Sequence, residues 1–266
     1  MIVDGRSIAK DIYAQIRNEI SHLSCVPHMT VFTCAPNFET QKYLTLKKQK
    51  AMQCGIGISI IELPDILTTQ EVMQSVQNAC IQTNAIIVQL PLPDHIDAQA
   101  VLDVIPNTYD VDGMHYDGTS KTFLSPVVSA IAEISHRHDV LFAGRKVAVV
   151  GQGRLVGKPS AIWAQGQGAS VKVITKDSPK GEFKNVIADA DILILGAGVP
   201  GLITQDMIKK GVVIFDAGTS EDGGELRGDA DASCAQKASL YTPVPGGIGP
   251  LTIAMLLRNV LQTVTH

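Results

Sequence analysis

Two side chains that can exchange protons stand four positions apart in a stretch with a helical pattern. Tyr43 and Lys47 therefore share one helix face and could converge on a single ligand. The simpler interpretation is a solvated basic surface, because Lys48 and Lys50 continue the same cluster of charges. The pair alone does not decide between a site and a surface.

Candidate ligand contacts follow an apolar run at residues 85–90, which is typical of a strand covered on both faces. Gln89 and Leu90 stand at the end of this run, and Pro91 follows it. Open α/β sheets bind ligands at the carboxyl ends of their strands. Further along, the segment 110–113 contains Asp112, whose carboxylate could bind a polar heterocycle or simply start a turn.

A rigid segment precedes the last helical pattern. Residues 242–250 contain three prolines and three glycines, and proline fixes the backbone φ angle. Such rigidity suggests the wall of a ligand site, and a loop that only turns the chain is the alternative.

A short β-branched strand at 147–150 leads directly into Gly151, Gly153 and Gly157. Gly151 permits a tight turn, Gly153 lets a pyrophosphate approach the backbone, and Gly157 allows close packing, while the free N–H groups at a helix start attract phosphate. The pattern predicts a dinucleotide site, against the alternative of a structural turn.

The end of the following strand bears on the choice of cofactor. An acid there holds a ribose hydroxyl, whereas a cation accepts a 2′-phosphate. Here Lys176 and Asp177 offer both groups, so the choice between NADP and NAD stays open. Two solvated loop charges are a third possibility.

The elements that must position these residues alternate between helix and strand, which indicates parallel sheets built from crossover units. We therefore predict an α/β fold with two domains: residues 1–120, to which the helix at 251–266 returns, and a Rossmann-like domain at 121–250. The predicted helices cover 7–20, 39–54, 70–82 and 251–264, and the predicted strands cover 29–33, 57–63, 85–90, 146–150, 170–175, 191–195 and 212–215.

Composition narrows the class of protein. With 266 residues, 45% of them hydrophobic and 18% charged, the chain can bury a sizeable core. A net charge of -4 argues against nucleic acid as a partner. The five cysteines are scattered, so we expect buried free thiols in a reducing compartment, and the lack of a signal or spanning pattern predicts a cytoplasmic protein with no membrane partner.

Taken together and in this order, the segments resemble the bifunctional methylenetetrahydrofolate dehydrogenase and methenyltetrahydrofolate cyclohydrolase family. The resemblance rests on Gln-Leu-Pro-Leu-Pro at 89–93, Asp-Val-Asp-Gly at 110–113 and Thr-Pro-Val-Pro-Gly-Gly-Ile-Gly-Pro at 242–250, and it runs from Val3 to the final helix. It implies tetrahydrofolate derivatives as substrates, NADP as cofactor with NAD as the alternative, no metal, and a homodimer.

The resemblance also assigns residues by position. The implied catalytic group is Tyr43, Lys47, Gln89 and Asp112. The substrate-binding group is Tyr43, Gln89, Leu90, Pro91, Asp112, Pro245, Gly246 and Gly247. The cofactor-binding group is Gly151, Gln152, Gly153, Arg154, Val156, Gly157, Gly198, Pro200 and Thr242, and Lys176 joins it because of its position at a strand end.

Some positions depart from the family's pattern. Gln152 stands where the family usually has an arginine that helps to hold the 2′-phosphate, which weakens the case for NADP. Val128 replaces a terminal glycine in the stretch 123–128, Gln49 replaces a second lysine, and residues 37–40 replace Asp-Pro-Ala-Ser. These changes bear on the rate of the dehydrogenase reaction and on the choice of cofactor more than on the lysine chemistry.

The family chemistry implies two reactions in one pocket. Hydride leaves the bridging methylene of 5,10-methylenetetrahydrofolate, and water then adds to the methenyl cation to give 10-formyltetrahydrofolate. We expect Lys47 to take a proton from that water, because burial beside a cation lowers a lysine pKa from about 10.4. Gln89 would hold the amine without adding charge, Tyr43 would pack on the substrate, and Asp112 would accept hydrogen bonds from the pterin.

Three alternatives compete with this interpretation. The first is a cyclohydrolase that has lost most dehydrogenase activity, as Gln152 and the stretch 123–128 suggest. The second is a generic Rossmann reductase for an unrelated substrate. The third is a non-catalytic folate or nucleotide sensor, which would not need a lysine base.

Overall fold

The structure is a computed structural model, and it describes residues 1–179, 181–222 and 225–265. It divides into two compact units, each with its own parallel sheet. The lysine unit comprises Lys10–Pro126 and Ile253–His266, and the glycine-loop unit comprises Met1–Ala9 and Val127–Thr252.

The elements alternate along the chain as the periodicity predicts. In order they are α1 Gly5–Ile20, β1 His28–Cys34, α2 Phe38–Cys54, β2 Gly57–Leu63, α3 Thr69–Ala79, β3 Ala85–Val88, α4 Ala98–Asp103, α5 Pro126–Arg137, β4 Lys146–Val150, α6 Gly157–Gly166, β5 Ser170–Ile174, α7 Glu182–Asp189, β6 Ile192–Leu195, β7 Val213–Asp216, β8 Ser220–Asp222, β9 Glu225–Arg227, a 3₁₀ helix Ala232–Gln236, β10 Leu240–Tyr241 and α8 Gly249–Thr265.

The sheet of the lysine unit has the order β2-β1-β3, with both pairs parallel. The chain passes from β1 to β2 on one side and then to β3 on the other, so the order reverses between β1 and β3. A ligand crevice in an open α/β sheet lies at such a reversal, outside the carboxyl ends of the strands. Helix α3 and residues of α4 cover a core that includes Phe32 and Ile86.

The sheet of the glycine-loop unit has the order β10-β7-β6-β4-β5 and is parallel throughout. Here the order reverses between β4 and β6, which pair over Val147–Val150 and Ile192–Leu195. The core on one side gathers apolar residues from these strands and from α7, among them Leu193 and Ile187. The second crevice is therefore expected at the loops that follow β4 and β6.

The predicted fold class is confirmed, since both sheets are parallel and built from crossovers, and Ile253–His266 groups with Lys10–Pro126. The predicted strands agree with the structure to within two residues at each end. Among the described elements, those not predicted from the sequence are α4, α5, α7, the hairpin of β8 and β9, the 3₁₀ helix and β10.

One expectation about the cysteines is wrong. Cys25 is exposed, because it lies in the turn between α1 and β1, whereas Cys34, Cys54 and Cys234 are buried. Across the part of the chain that the structure describes, no helix is long and apolar enough to span a bilayer.

Candidate active site

Helix α2 places one lysine of its basic cluster inside the protein. The helix begins after Asn37, whose side chain accepts a hydrogen bond from the N–H of Thr40, as an N-cap should. Lys47 lies between the buried Leu44 and Ala51 on the inner face and is 2% exposed. The solvated interpretation is therefore wrong for this lysine, although the next one along, Lys48, is exposed.

The buried amine meets an amide at the carboxyl end of β3. Lys47 Nζ donates to Gln89 Oε1 over 3.2 Å. Gln89 Nε2 donates to the carbonyl of Leu90 at 3.2 Å, and its backbone N–H donates to Phe32 O at 2.8 Å. Because the amide nitrogen is engaged with Leu90, the amide oxygen is the atom that faces the lysine. The Tyr43 ring lies 5.2 Å from Nζ and is partly exposed, at 36%.

The surroundings of Lys47 disfavour its charged form. Burial lowers the pKa of Lys47, and the Asp112 carboxylate partly opposes this effect. Burial in turn raises the pKa of Asp112, which Lys47 opposes and Asp110 reinforces. Gln89 contributes no charge to the balance. The arrangement is an amine whose pKa burial lowers and which a neutral acceptor holds, and both features favour a lysine that acts as a base.

The loop that carries Asp112 is fixed from two sides. Gly113 has φ +67°, and a Cβ there would lie 2.6 Å from Phe123 O, so this residue must be glycine. Asn259 Nδ2 of α8 donates to Val111 O at 2.9 Å and to Leu124 O at 3.0 Å. Asn259 was not predicted as a site residue, although a polar residue inside the apolar stripe of a helix is a signal that the sequence shows.

Asp110, the first carboxylate of the segment 110–113, supports the same loop. Asp110 is 2% exposed and accepts the N–H of His115 at 2.8 Å, while the His115 ring lies 3.5 Å from the same carboxylate oxygen. Burial raises the pKa of Asp110, and its hydrogen bonds with the loop oppose the rise. Asp110 therefore organises the turn that presents Asp112.

The glycines after β4 each have a distinct environment. Gly151 has φ +96°, and a Cβ there would lie 2.5 Å from Gly196 O. A Cβ on Gly157 would lie 2.1 Å from Gly151 O, so the predicted close packing is confirmed. Gly153 has no atom within 4 Å of such a Cβ, which leaves the room that a pyrophosphate needs.

The start of α6 suits an anion. Among the described residues no side chain caps this helix, and Lys158 N donates back to Gly153 O at 3.0 Å. Val156 packs its side chain on Gly196, where an added Cβ would come within 2.5 Å of it. The loop after β4 and the loop after β6 therefore stand together at the reversal of strand order, and free N–H groups there attract phosphate.

The remaining predicted cofactor residues divide into exposed and buried. Thr242 is fully buried: its Oγ1 accepts the N–H of Asp216 at 2.7 Å, and its own N–H donates to Ile214 O at 3.1 Å. The exposed group is Gln152, Arg154, Lys176, Gly198 and Pro200.

The predicted substrate residues fall in both units. Leu90 and Pro91 belong to the lysine unit, with the peptide bond between them cis. Pro245, Gly246 and Gly247 belong to the glycine-loop unit, where Gly5 N donates to Gly246 O at 2.9 Å.

Comparison with known proteins adds independent findings. The family model of the tetrahydrofolate dehydrogenase/cyclohydrolase catalytic domain matches residues 3–112, and the model of the corresponding NAD(P)-binding domain matches residues 125–266. The chain is 33% identical, over 98% of each chain, to the bifunctional protein FolD of Sulfurovum sp..

Solved structures agree with these matches. The chain is similar to the bifunctional enzyme FolD of Campylobacter jejuni, with a TM-score of 0.95, 29% identity and coverage of 100% of this chain and 98% of the other. It is also similar to the Trypanosoma brucei enzyme complexed with NADP and an inhibitor, with a TM-score of 0.91, 30% identity and coverage of 100% and 97%.

Proposed function

This chain belongs to the tetrahydrofolate dehydrogenase/cyclohydrolase family, and we propose that Lys47 is the base of its hydrolytic reaction. The enzyme oxidises 5,10-methylenetetrahydrofolate to 5,10-methenyltetrahydrofolate and hydrolyses the product to 10-formyltetrahydrofolate. The observation that carries the proposal is the 3.2 Å contact between Lys47 Nζ and Gln89 Oε1 in a buried position.

Lys47 would act as a neutral amine. The methenyl carbon is electrophilic, so hydrolysis needs a water molecule in place and a group that removes its proton. Burial lowers the pKa of Lys47, and a cationic substrate beside it would disfavour the ammonium further. Gln89 orients the amine without charge, whereas a carboxylate at that position would stabilise the ammonium and weaken the base.

Asp112 and Tyr43 would hold the pterin. The half-buried carboxylate of Asp112 offers two acceptor oxygens to the amino and N–H groups of the ring, and the partly exposed face of Tyr43 offers a surface for packing. The backbone around Leu90 and Pro91 completes the proposed substrate contacts of the lysine unit. Pro245, Gly246 and Gly247 are proposed as substrate contacts on the family resemblance alone.

The loop after β4 would hold the dinucleotide. The open space at Gly153 and the N–H groups at the start of α6 fit a pyrophosphate. Gly198 and Pro200 would contact the cofactor from the loop after β6, and Thr242 is the proposed contact after β10. A bound nicotinamide accepts the hydride that leaves the methylene carbon.

NADP is the proposed cofactor. Arg154 and Lys176 are exposed cations on the loops after β4 and β5, where a 2′-phosphate would need them, and the T. brucei relative binds NADP. Gln152 supplies no charge, so we expect a weaker preference than an arginine at that position would give.

The test is a spectrophotometric assay of methylenetetrahydrofolate oxidation with NADP and NAD in parallel. We expect turnover with both and a higher specificity constant with NADP. In Lys176→Ala the NADP preference should fall roughly tenfold, since a charged hydrogen bond is lost. Lys172→Ala, an exposed lysine on β5 itself, is the control. A strong NADP preference that survives Lys176→Ala would show that Lys176 is not the cation that replaces the arginine missing at position 152.

A second candidate is a cyclohydrolase with little dehydrogenase activity. Gln152 favours it, as does Val128, which is fully buried where the family usually has glycine. Hydrolysis without methenyl formation from either cofactor would establish this candidate. Family membership removes the unrelated reductase, and turnover in either assay would remove the non-catalytic sensor.

The proposed assembly is a homodimer in the cytoplasm, with domain limits near residues 120 and 251. Light scattering on a sizing column would give the mass in solution, for comparison with 28.4 kDa for one chain. A monomer at working concentration would contradict the dimer.

A further inference from the structure

The glycine-loop unit buries two carboxylates that the proposed chemistry does not use. Asp216 ends β7 and Asp229 follows β9, and both are fully buried. Their oxygens accept six backbone N–H groups: Asp216 accepts those of Gly218 at 2.9 Å, Asp229 at 3.2 Å and Ala230 at 2.8 Å, and Asp229 accepts those of Ala197 at 2.6 Å, Gly198 at 3.3 Å and Val199 at 2.8 Å.

Two glycines make room for these carboxylates reciprocally. A Cβ on Gly218 would lie 2.3 Å from Asp229 Oδ1, and a Cβ on Gly228 would lie 2.2 Å from Asp216 Oδ2. Burial raises the pKa of Asp216 to about 6, and its N–H partners oppose the rise. Asp216, Gly218, Gly228 and Asp229 therefore pack against one another beside the loop after β6.

The loop held by Asp229 is a wall of the proposed dinucleotide crevice. Residues 197–199 follow Gly196 after the end of β6, next to the turn at Gly151, and Gly198 has φ +68°. Three successive N–H groups in such a turn form a nest that binds an anion. The Asp229 carboxylate already fills this nest, so the loop after β4 is left as the place for phosphate.

We propose that Asp229 is a positioning residue for the nicotinamide dinucleotide, which sets the loop 197–200 by its three charge-assisted hydrogen bonds and is itself set by Asp216. The inference rests on the proposed cofactor site at Gly151–Gly157 and at Gly198 and Pro200. Its consequence is that loss of the Asp229 charge loosens dinucleotide binding and leaves the hydrolytic reaction intact.

The experiment uses Asp229→Asn in the full chain. The amide keeps the size of the side chain, but its NH₂ group must face a backbone N–H donor. We expect the Kd for NADP, measured by calorimetry, and the KM for NADP to rise at least about tenfold. Hydrolysis of methenyltetrahydrofolate, which needs no dinucleotide, should stay within about twofold of the wild type.

The matched control is Asp231→Asn. Asp231 lies two positions along, is exposed, and caps the 3₁₀ helix through the N–H of Ser233. It should leave both NADP binding and hydrolysis at wild-type values. Unchanged NADP affinity in Asp229→Asn would overturn the proposal, and so would an equal fall of binding and hydrolysis, since that is a general loss of structure.

A second variant covers the case in which Asp229→Asn does not fold. Gly218→Ala keeps the Asp229 charge but pushes a methyl group towards Oδ1, and the same selective loss of NADP binding is expected. If neither variant folds, hydrogen exchange of the wild type decides: the amides of 197–199 should be protected without ligand, and fast exchange there overturns the proposal. A wild-type protein that binds no dinucleotide would refute the proposed function instead.

Discussion

In both units the candidate site lies where the order of the strands reverses, but the two sites are formed by different chemical groups. In the lysine unit, the reversal of strand order gathers side chains: an amine, a carboxamide and a carboxylate. In the glycine-loop unit, the same reversal gathers backbone, because glycines stand where a side chain would block the approach. Proton transfer requires a titratable group whose pKa burial can move, whereas phosphate binding requires open access to N–H groups.

The two units also hold their site loops in the same way. In each, a buried polar side chain from elsewhere in the unit fixes the site loop by its backbone. Asn259 donates to the carbonyls of Val111 and Leu124 in the lysine unit, and Asp229 accepts N–H groups of the loop after β6 in the other. The residue type follows from the backbone groups to be satisfied, since carbonyls need a donor and N–H groups need an acceptor.

The largest expected effect removes the amine. Lys47→Met keeps the bulk of the side chain, and we expect methenyltetrahydrofolate hydrolysis to fall by at least about 100-fold, as for loss of a general base. NADP affinity should not change, because the variant touches only the lysine unit. Lys48→Met, at the exposed neighbouring position, is the control. An undiminished hydrolysis rate in Lys47→Met would remove Lys47 from the mechanism.

A change in the glycine-loop unit tests the site that backbone N–H groups form. In Gly157→Ala the added Cβ would meet Gly151 O at 2.1 Å, so the loop must shift, and we expect NADP affinity to fall by roughly 10-fold to 100-fold. Hydrolysis should persist. Gly166→Ala, at the other end of α6 with nothing within 4 Å, should leave NADP affinity unchanged. Calorimetry of NADP binding checks both variants, and tight binding by Gly157→Ala would contradict this account of the loop.

The smallest expected effect changes the charge beside the amine. Gln89→Glu would favour the ammonium form and raise the pKa of Lys47, which burial otherwise lowers. Since the neutral amine is the base, activity is lost as pH falls through this pKa, and the variant's profile should shift to higher pH. At neutral pH we expect roughly a tenfold lower rate of hydrolysis.

The control for this change is a lysine–glutamine pair on the outside of α2. Lys50 Nζ donates to Gln53 Oε1 at 3.4 Å, so Gln53→Glu introduces the same charge beside a lysine that has no assigned role. Its profile of hydrolysis against pH should match the wild type. If Gln89→Glu also leaves the profile unshifted, the titrating base is not Lys47.

Much of the fold could be predicted because its signals are local. Apolar runs predict the strands, and Gly151 and Gly157 stand where the structure requires glycine. Helix α5 was missed, although Pro126 at its start and the spacing of Val128, Ile131 and Ile134 indicate a helix, because residues 123–128 were only compared with the family's pattern. Asp216 and Asp229 were missed because their partners are N–H groups of loops, and no pattern of side chains along the sequence predicts such contacts.

The sequence by itself determined the alternation of helix and strand, the positions that need glycine, and the set of residues that could do chemistry, since each depends on neighbours along the chain. The tertiary structure decided which of them meet. Lys47 and Gln89 are 42 positions apart, and only the crossing of α2 over the sheet buries one lysine of a basic cluster while its neighbour stays in water. Burial and the charges around a group set its pKa, and both come from segments distant in sequence.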